Sequence, residues 1–223
     1  LSGKSFLNEV CMNFENCYFL IPARKGSKGF PFKNRKLFAF TADTVPPEFK
    51  DQVFVSTDDE LIKEQSIKYG FNVVDRPVDL SKDSSSFKDA MVHFIESKDI
   101  PDDAKIIVLF LTYPQRKWTD IENIYRYFLN EDAKSLICCE EVRDHPYLCF
   151  YEREGNKAEL VIEHSMYRRQ DYPKCVRQSM FFACYEANTV TDICDLLFEK
   201  NTIFYKLNEH KVDVDYKEDL CLT

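Results

Sequence analysis

Residues 106–111 read Ile-Ile-Val-Leu-Phe-Leu, with no polar residue at any position. Successive side chains of a strand point to opposite faces, so a strand of this kind needs cover on both sides. The run falls well short of the ~20 apolar residues that a membrane helix requires. So does the second long run, residues 180–185, and no transmembrane segment is expected. The flanking chain supplies the cover by alternation. Strands are expected at 17–21, 52–56, 71–74 and 135–142. Helices are expected at 59–69, stopped by Gly70, at 86–97, opened by Ser86 with Asp89 three residues on, and at 118–130. In the last of these, Ile121, Ile124, Tyr125 and Phe128 fall at helical spacing. Strand–helix alternation implies an α/β fold with a mostly parallel sheet, and places 106–111 at its centre.

The pattern changes between 144 and 174. Apolar stretches at 148–151 and 160–162 flank the turn-forming Glu154, Gly155 and Asn156, as a β-hairpin or flap projecting from the main sheet would. A strand at 180–185, a helix near 188–199, a strand at 202–207 and an extended segment at 211–215 complete the α/β theme. With no internal repeat or linker, residues 17–223 read as a single domain, residues 1–16 as an N-terminal extension, and about 144–178 as an insertion. The 223 residues are 44% hydrophobic and 14% aromatic, enough for a full core. Thirty basic against 38 acidic side chains leave a net charge of −8, which argues against nucleic acid as a partner. Polar and charged residues interrupt 1–16, so it does not fit a secretory signal. The nine cysteines include no Cys-x-x-Cys pair and read as buried free thiols of a reducing cytoplasm. The four histidines lack metal spacing, and no zinc is inferred.

Only five glycines occur, yet Gly26 and Gly29 fall in the loop after the first strand, together with Arg24, Lys25, Lys28 and Lys33. An acidic chain has concentrated cationic charge where a buried strand ends. Glycines let the backbone approach a phosphate, and Arg and Lys supply charge, so a polyphosphate suits the loop. A solvated basic turn has the same composition. The spacing matches neither the P-loop nor G-x-G-x-x-G, and from the residues alone both readings stay open.

The complete string at 21–34, IPARKGSKGFPFKN, closely resembles the N-terminal signature of acylneuraminate cytidylyltransferases, the CMP-sialic acid synthetases and their relatives for other acidic sugars. Further fragments follow in the order that family requires: STDDE at 56–60, Arg76–Pro77, the serines at 84–86, and DVDYKEDL at 213–220. The resemblance implies a Rossmann-like sheet of the nucleotide-diphospho-sugar transferase type, and transfer of CMP from CTP to an acidic sugar with release of pyrophosphate. Carried over by position, Arg24, Ser27, Lys28, Lys33, Asn34, Arg76, Ser85 and Ser86 would bind the nucleotide. Arg24, Lys33 and Asp215 would be catalytic. In 212–215, aspartates alternate with valines, so an extended strand projects both carboxylates from one face. A half-exposed edge strand gives the same pattern; the resemblance implies that Asp213 and Asp215 hold Mg²⁺, which suits all-oxygen ligands. The group that takes the hydroxyl proton stays open between Asp215 and other candidates.

The acceptor side departs from the family. After the central strand, members carry Leu-Gln-Pro-Thr-Ser-Pro-Leu-Arg, where this chain has Leu-Phe-Leu-Thr-Tyr-Pro-Gln-Arg at 109–116. Phe110 replaces a sugar-contacting Gln, Leu148 stands where a Lys is found, and Ser179–Met180 replaces Asn-Gly. Phe110, Thr112, Arg169, Gln170 and Arg177 are carried over as sugar-binding, with Arg168, Arg169 or Arg177 as carboxylate partners. The sugar is then expected not to be ordinary N-acetylneuraminic acid. Between 34 and 56 the chain is shorter than typical members, and Pro46–Pro47 interrupts the first crossover. Arg116 and Lys117 read equally as solvated loop charges, Trp118 as a packing residue, and His145 as a turn or packing residue. The resemblance further implies a homodimer formed through the flap. Two alternatives remain: a nucleotide-binding homologue without catalysis, and a nucleotidyltransferase for a different sugar.

Overall fold

The computed structural model describes residues 12–26 and 29–223; residues 1–11, Ser27 and Lys28, and the expectations that fall on them, lie outside that set. In chain order the elements are β1 (Cys17–Pro22), α1 (Lys33–Ala42), β2 (Val53–Thr57), α2 (Glu60–Tyr69), β3 (Asn72–Asp75), α3 (Phe87–Ser97) and β4 (Lys105–Val108). Then follow α4 (Trp118–Asn130), β5 (Ser135–Glu141), β6 (Phe150–Arg153), β7 (Lys157–Leu160), β8 (Val176–Glu186) and β9 (Ile203–Lys206). Seven strands form one sheet in the order β3-β2-β1-β4-β8-β5-β9, and β6 and β7 pair apart from it. Within the sheet, β8 is antiparallel to β4 and β5, and every other pair is parallel. The chain is therefore the α/β fold with a mostly parallel sheet and separate hairpin that its pattern implies.

The apolar run does what its chemistry requires. β4 is the middle strand of the seven. Ile107 and Leu109 join the core on one face of the sheet, Ile106 and Val108 the core on the other, and all four are 0% exposed. Local signals set the helix ends. The Asp59 carboxylate accepts from the Leu61 N–H at 3.1 Å to open α2, and Gly70, at φ 82°, closes it in the left-handed conformation. Ser86 caps α3 through the Lys88 N–H at 3.1 Å. The Asp120 carboxylate accepts from the Lys117 N–H at the start of α4, whose inner face is the expected Ile121, Ile124, Tyr125 and Phe128. The shortened first crossover is complete. α1 ends ahead of Pro46, a 3₁₀ turn over Pro47–Gln52 follows, and β2 pairs with β1.

Several expectations are corrected. No helix forms over 188–199, where only a 3₁₀ turn, Ala187–Thr189, is found. The backbone closes a tight local turn instead: the Cys194 N–H donates forward to Phe198 O at 2.9 Å, where a helix would send it back to Val190 O, and the Leu197 N–H donates to Cys194 O at 2.8 Å. Leu197 itself sits at φ 65°. Residues 211–215 belong to no sheet. A backbone bond, Val214 N–H to Thr112 O at 2.8 Å, anchors them. The hairpin strands lie closer to the turn than expected, because Gly155 (φ 74°) and Asn156 (φ 59°) make a tight reversal. The thiols divide. Cys17, Cys138, Cys139 and Cys184 are buried, but Cys149, Cys194 and Cys221 are exposed and Cys175 half-buried.

The folded body also begins ahead of β1. Phe14 is 1% exposed, stacks on Tyr125 at 5.0 Å, and touches Phe49 and Trp118 at 5.1 and 5.3 Å. Trp118 is thereby the packing residue expected. Phe14→Ala should lower unfolding free energy by about 3–5 kcal/mol in a urea titration. A loss below about 1 kcal/mol would mean that the segment before Cys17 is not part of the core.

Candidate active site

The carboxyl ends of β1, β3 and β4 open onto a cavity of about 240 Å³ whose lining includes Arg24, Asn34, Arg76, Ser85, Ser86, Phe110 and Thr112. Ligands of open α/β sheets bind at this edge. The STDDE segment is its scaffold. Ser56 Oγ accepts from Arg76 Nε at 3.0 Å, and the Thr57 hydroxyl donates to Ala23 O at 2.5 Å. The Asp58 carboxylate accepts from the Lys25 N–H at 2.7 Å, and Asp59 pairs with Arg35 at 2.7 Å. The cationic loop is thus clamped to the end of β2 on one side. On the other, the Asn34 amide donates to Arg24 O at 2.8 Å.

Arg24 reaches Asp83 at 2.6 Å across the cavity mouth. Arg76 is 8% exposed, and one of its terminal nitrogens is buried without a hydrogen-bond partner. Burial, with the charge of Arg24 adding to it and Asp58 opposing, lowers its pKa to about 10, so it stays protonated at neutral pH. The Ser85 hydroxyl donates to Asp79 O and that of Ser86 to Asp195, so both serines shape the wall while committed elsewhere. Phe110 packs edge-on to Phe87, with ring centroids 5.0 Å apart, and forms an apolar side of the cavity.

The cationic loop and the acidic segment meet. Lys33 Nζ lies 2.8 Å from Asp215 Oδ1. A Cβ on Gly29 would stand 2.9 Å from Asp215 O and 3.1 Å from the Tyr216 ring, closer than real Cβ contacts come. Val214 is 0% exposed between Asp213 and Asp215, whose side chains face outward, as the alternation predicts although no strand forms. Burial pushes the Asp213 carboxyl above its ordinary pKa and the charge of Asp215 adds to this, while hydrogen bonds from Thr112 and Tyr113, and the charge of Lys33, oppose it. Among the described residues, no group of three or more His, Cys, Asp or Glu side chains is placed to hold a metal. Two carboxylates on one segment suit a cation that takes its other ligands from phosphate and water, the habit of Mg²⁺.

Not every residue carried over joins this cavity. Arg169 and Gln170 sit on an exposed 3₁₀ turn next to the hairpin. Arg177 lines a separate cavity of about 460 Å³, its guanidinium 3.1 Å from Glu140, which His210 also meets at 2.7 Å. Arg168, expected as a carboxylate partner of the sugar, is instead paired with Asp171 at the surface. His145 is a turn residue, its ring accepting from the Tyr147 N–H. Arg116 is not a solvated charge. It is 2% exposed, donates to Phe181 O at 2.9 Å and to Phe110 O at 2.8 Å, and so braces the loop after β4 from below. Beside Lys117 in a polar stretch, nothing in its sequence context marks it as buried.

The geometry agrees with what the chain is similar to. The family model described as cytidylyltransferase matches residues 18–217. An N-acylneuraminate cytidylyltransferase of Streptococcus agalactiae serotype V is 31% identical over 215 residues, which cover 90% of this chain and 50% of that protein. The chain thus spans about half the length of such relatives. A pseudaminic acid cytidylyltransferase of Campylobacter jejuni is 27% identical, over 90% of this chain and 91% of that one. Among solved structures, CMP:2-keto-3-deoxy-manno-octonic acid synthetase complexed with CTP superposes with a TM-score of 0.59 at 15% identity, over 92% of this chain and 95% of that one.

The Gly29 contact has a direct test. Gly29→Ala should push the loop off the C-terminal segment, so the amides of Val214, Asp215 and Tyr216 exchange hydrogen several-fold faster while those of β4 do not change. Unaltered exchange at these amides would show that the close approach does not hold the segment.

Proposed function

Since the chain belongs to the cytidylyltransferase family, we propose that it activates an acidic, sialic-acid-like sugar, transferring CMP from CTP to the sugar's anomeric hydroxyl with release of pyrophosphate. The observation that carries this reading is the 2.8 Å approach of Lys33 to Asp215, which joins the phosphate-suited loop to the acidic pair. The sugar oxygen forms a bond to the α-phosphorus. The bond from that phosphorus to the bridging oxygen breaks, and pyrophosphate leaves with the electron pair.

The chain's own residues do three things in this scheme. Arg24 lines the cavity and Lys33 meets Asp215, and in this scheme both offset the charge that builds on the departing pyrophosphate. Arg76 offers its unpartnered nitrogen to an oxygen of the base or ribose, and the cavity walls hold the nucleoside so that attacking and leaving oxygens align. Asp213 and Asp215 would hold Mg²⁺, which when bound offsets the charge of the phosphates and orients them. Proton removal from the sugar hydroxyl is assigned in this reading to Asp215, a largely exposed carboxylate paired with Lys33. Phe110 sets an apolar surface near the acceptor, which supports a sugar other than N-acetylneuraminic acid.

The exposed apolar side chains of the hairpin region, Phe150, Tyr151, Ile162 and Tyr167 among them, support a homodimer built through this flap, as interface cores favour aromatic residues. The exposed free thiols support a reducing, cytoplasmic setting. No helix among the described residues is long and apolar enough to cross a membrane.

With a panel of 2-keto acidic sugars, the protein should release pyrophosphate from CTP in the presence of Mg²⁺ and not after chelation. Asp215→Ala should cut turnover by at least about 100-fold with an unchanged melting temperature. CTP with Mg²⁺ should raise the melting temperature more than UTP, GTP or ATP does. Stabilisation by CTP without turnover on any acceptor would favour a non-catalytic homologue; no response to any nucleoside triphosphate would end the reading.

A further inference from the structure

Tyr113 has no role in the scheme above, yet it touches the acidic pair. It is 3% exposed, and its ring packs edge-on to Phe181 at 5.6 Å and 89°. Its hydroxyl lies 3.1 Å from Asp213 Oδ2, and the Met180 N–H donates to that hydroxyl at 3.1 Å. A carboxylate only accepts, so the phenolic proton points to Asp213 while the amide occupies the oxygen's other side. Swinging the ring so that its oxygen leaves Asp213 would cost the Met180 N–H its partner.

The loop 112–115 grips three consecutive residues of the C-terminal segment in different ways. Thr112 O accepts from the Val214 N–H at 2.8 Å, and the Gln115 amide donates to Val212 O at 3.2 Å. Both are main-chain anchors. They locate the backbone of Asp213. Its carboxylate is met by the Thr112 side chain and by the Tyr113 hydroxyl, which is itself fixed by the Met180 N–H. We infer that Tyr113 is a positioning residue, holding one oxygen of Asp213 so that the other faces the cation required by transfer.

The inference rests on the reading of Asp213 and Asp215 as the cation's ligands. It concerns how one of them is oriented, in the manner of partners that orient metal ligands elsewhere. Thr112 and Gln115 leave the same segment in place when the hydroxyl is removed, so the effect of Tyr113 is separable from docking of the segment.

The test replaces Tyr113 by phenylalanine, which keeps the ring. Mn²⁺ binding is read from loss of the free-ion electron paramagnetic signal, alongside the Mg²⁺ dependence of pyrophosphate release and the KM for CTP. Tyr113→Phe should weaken Mn²⁺ binding and raise the half-saturating Mg²⁺ by about 10-fold or more, with kcat at saturating Mg²⁺ and KM for CTP near wild type. On an Asp213→Asn background, the same change should add less than about twofold, since coupled residues do not act additively. An unchanged Mn²⁺ affinity, or an equal loss on both backgrounds, overturns the inference. If Tyr113→Phe does not fold, a crystal of the wild type soaked in Mn²⁺ decides: Oδ2 should stay within hydrogen-bond reach of Tyr113 while Oδ1 meets the ion, and a carboxylate swung off the hydroxyl refutes the role. A wild type that binds CTP yet has no Mn²⁺ site overturns this inference alone. One that binds neither overturns the proposed function with it.

Discussion

The burial of Val214 is the constraint on which the site depends. Its side chain is fully enclosed in the core, and its N–H closes a bond on Thr112 O. Enclosing a valine contributes about 1.5–3 kcal/mol, and a backbone bond about 1 kcal/mol. The neighbouring ion pair between Lys33 and Asp215 is more conspicuous but weaker as an anchor, because the Asp215 side chain is 65% exposed and solvent screens the pair. The acidic segment is therefore carried to the cationic loop by an apolar residue and a backbone hydrogen bond. The charges are left with their interactions only partly satisfied, as a site for a charged ligand requires.

How far this could be read from the sequence follows from the range of the forces involved. The central place of residues 106–109, the capping of α2 by Asp59 and Gly70, and the inner face of α4 depend on periodicity and local backbone chemistry, which the chain carries in order. The outward pair Asp213 and Asp215 was likewise readable as alternation. Its setting was not, because no strand forms there and the pattern arises from a single buried valine between two carboxylates, one largely exposed and one held against Tyr113. Residues 188–199 show the opposite failure. Val190, Ile193 and Leu197 keep a helical spacing and are buried, yet the Cys194 N–H bonds forward to Phe198 O and Leu197 takes the left-handed conformation, which no helix can contain. Phe14 and Arg116 were missed for a related reason: each is placed by contacts distant in sequence.

The two sides of the reaction are built differently. Of the described residues carried over for the nucleotide, Arg24, Asn34, Arg76, Ser85 and Ser86 line one cavity, since they lie on loops and helix starts at the same edge of one sheet, while Lys33 meets Asp215. Those carried over for the sugar scatter. Phe110 and Thr112 follow β4 into the cavity, Arg177 belongs to a cluster with Glu140 and His210, and Arg169 and Gln170 ride on an exposed turn. A segment beside a two-stranded hairpin with few buried side chains has little to fix its direction, because an isolated hairpin is marginal without a surface to pack on. The proposed dimer would provide that surface.

Two buried arginines show how an acidic protein keeps positive charge at this edge. Burial lowers both pKa values to about 10, so neither loses its proton at neutral pH. Their hydrogen bonds divide their work. Arg116 spends two donors on the carbonyls of Phe110 and Phe181, tying the end of the central strand to β8 and stiffening the loop that carries Thr112 and Tyr113. Arg76 has a single side-chain bond, to Ser56, and lines the cavity. A desolvated guanidinium with an unused donor is costly to leave unmet and strong when met. Each keeps one buried nitrogen without a partner, but Arg116 braces the loop outside the cavity, whereas Arg76 presents its donor in the cavity wall, where an arriving polar ligand gains most.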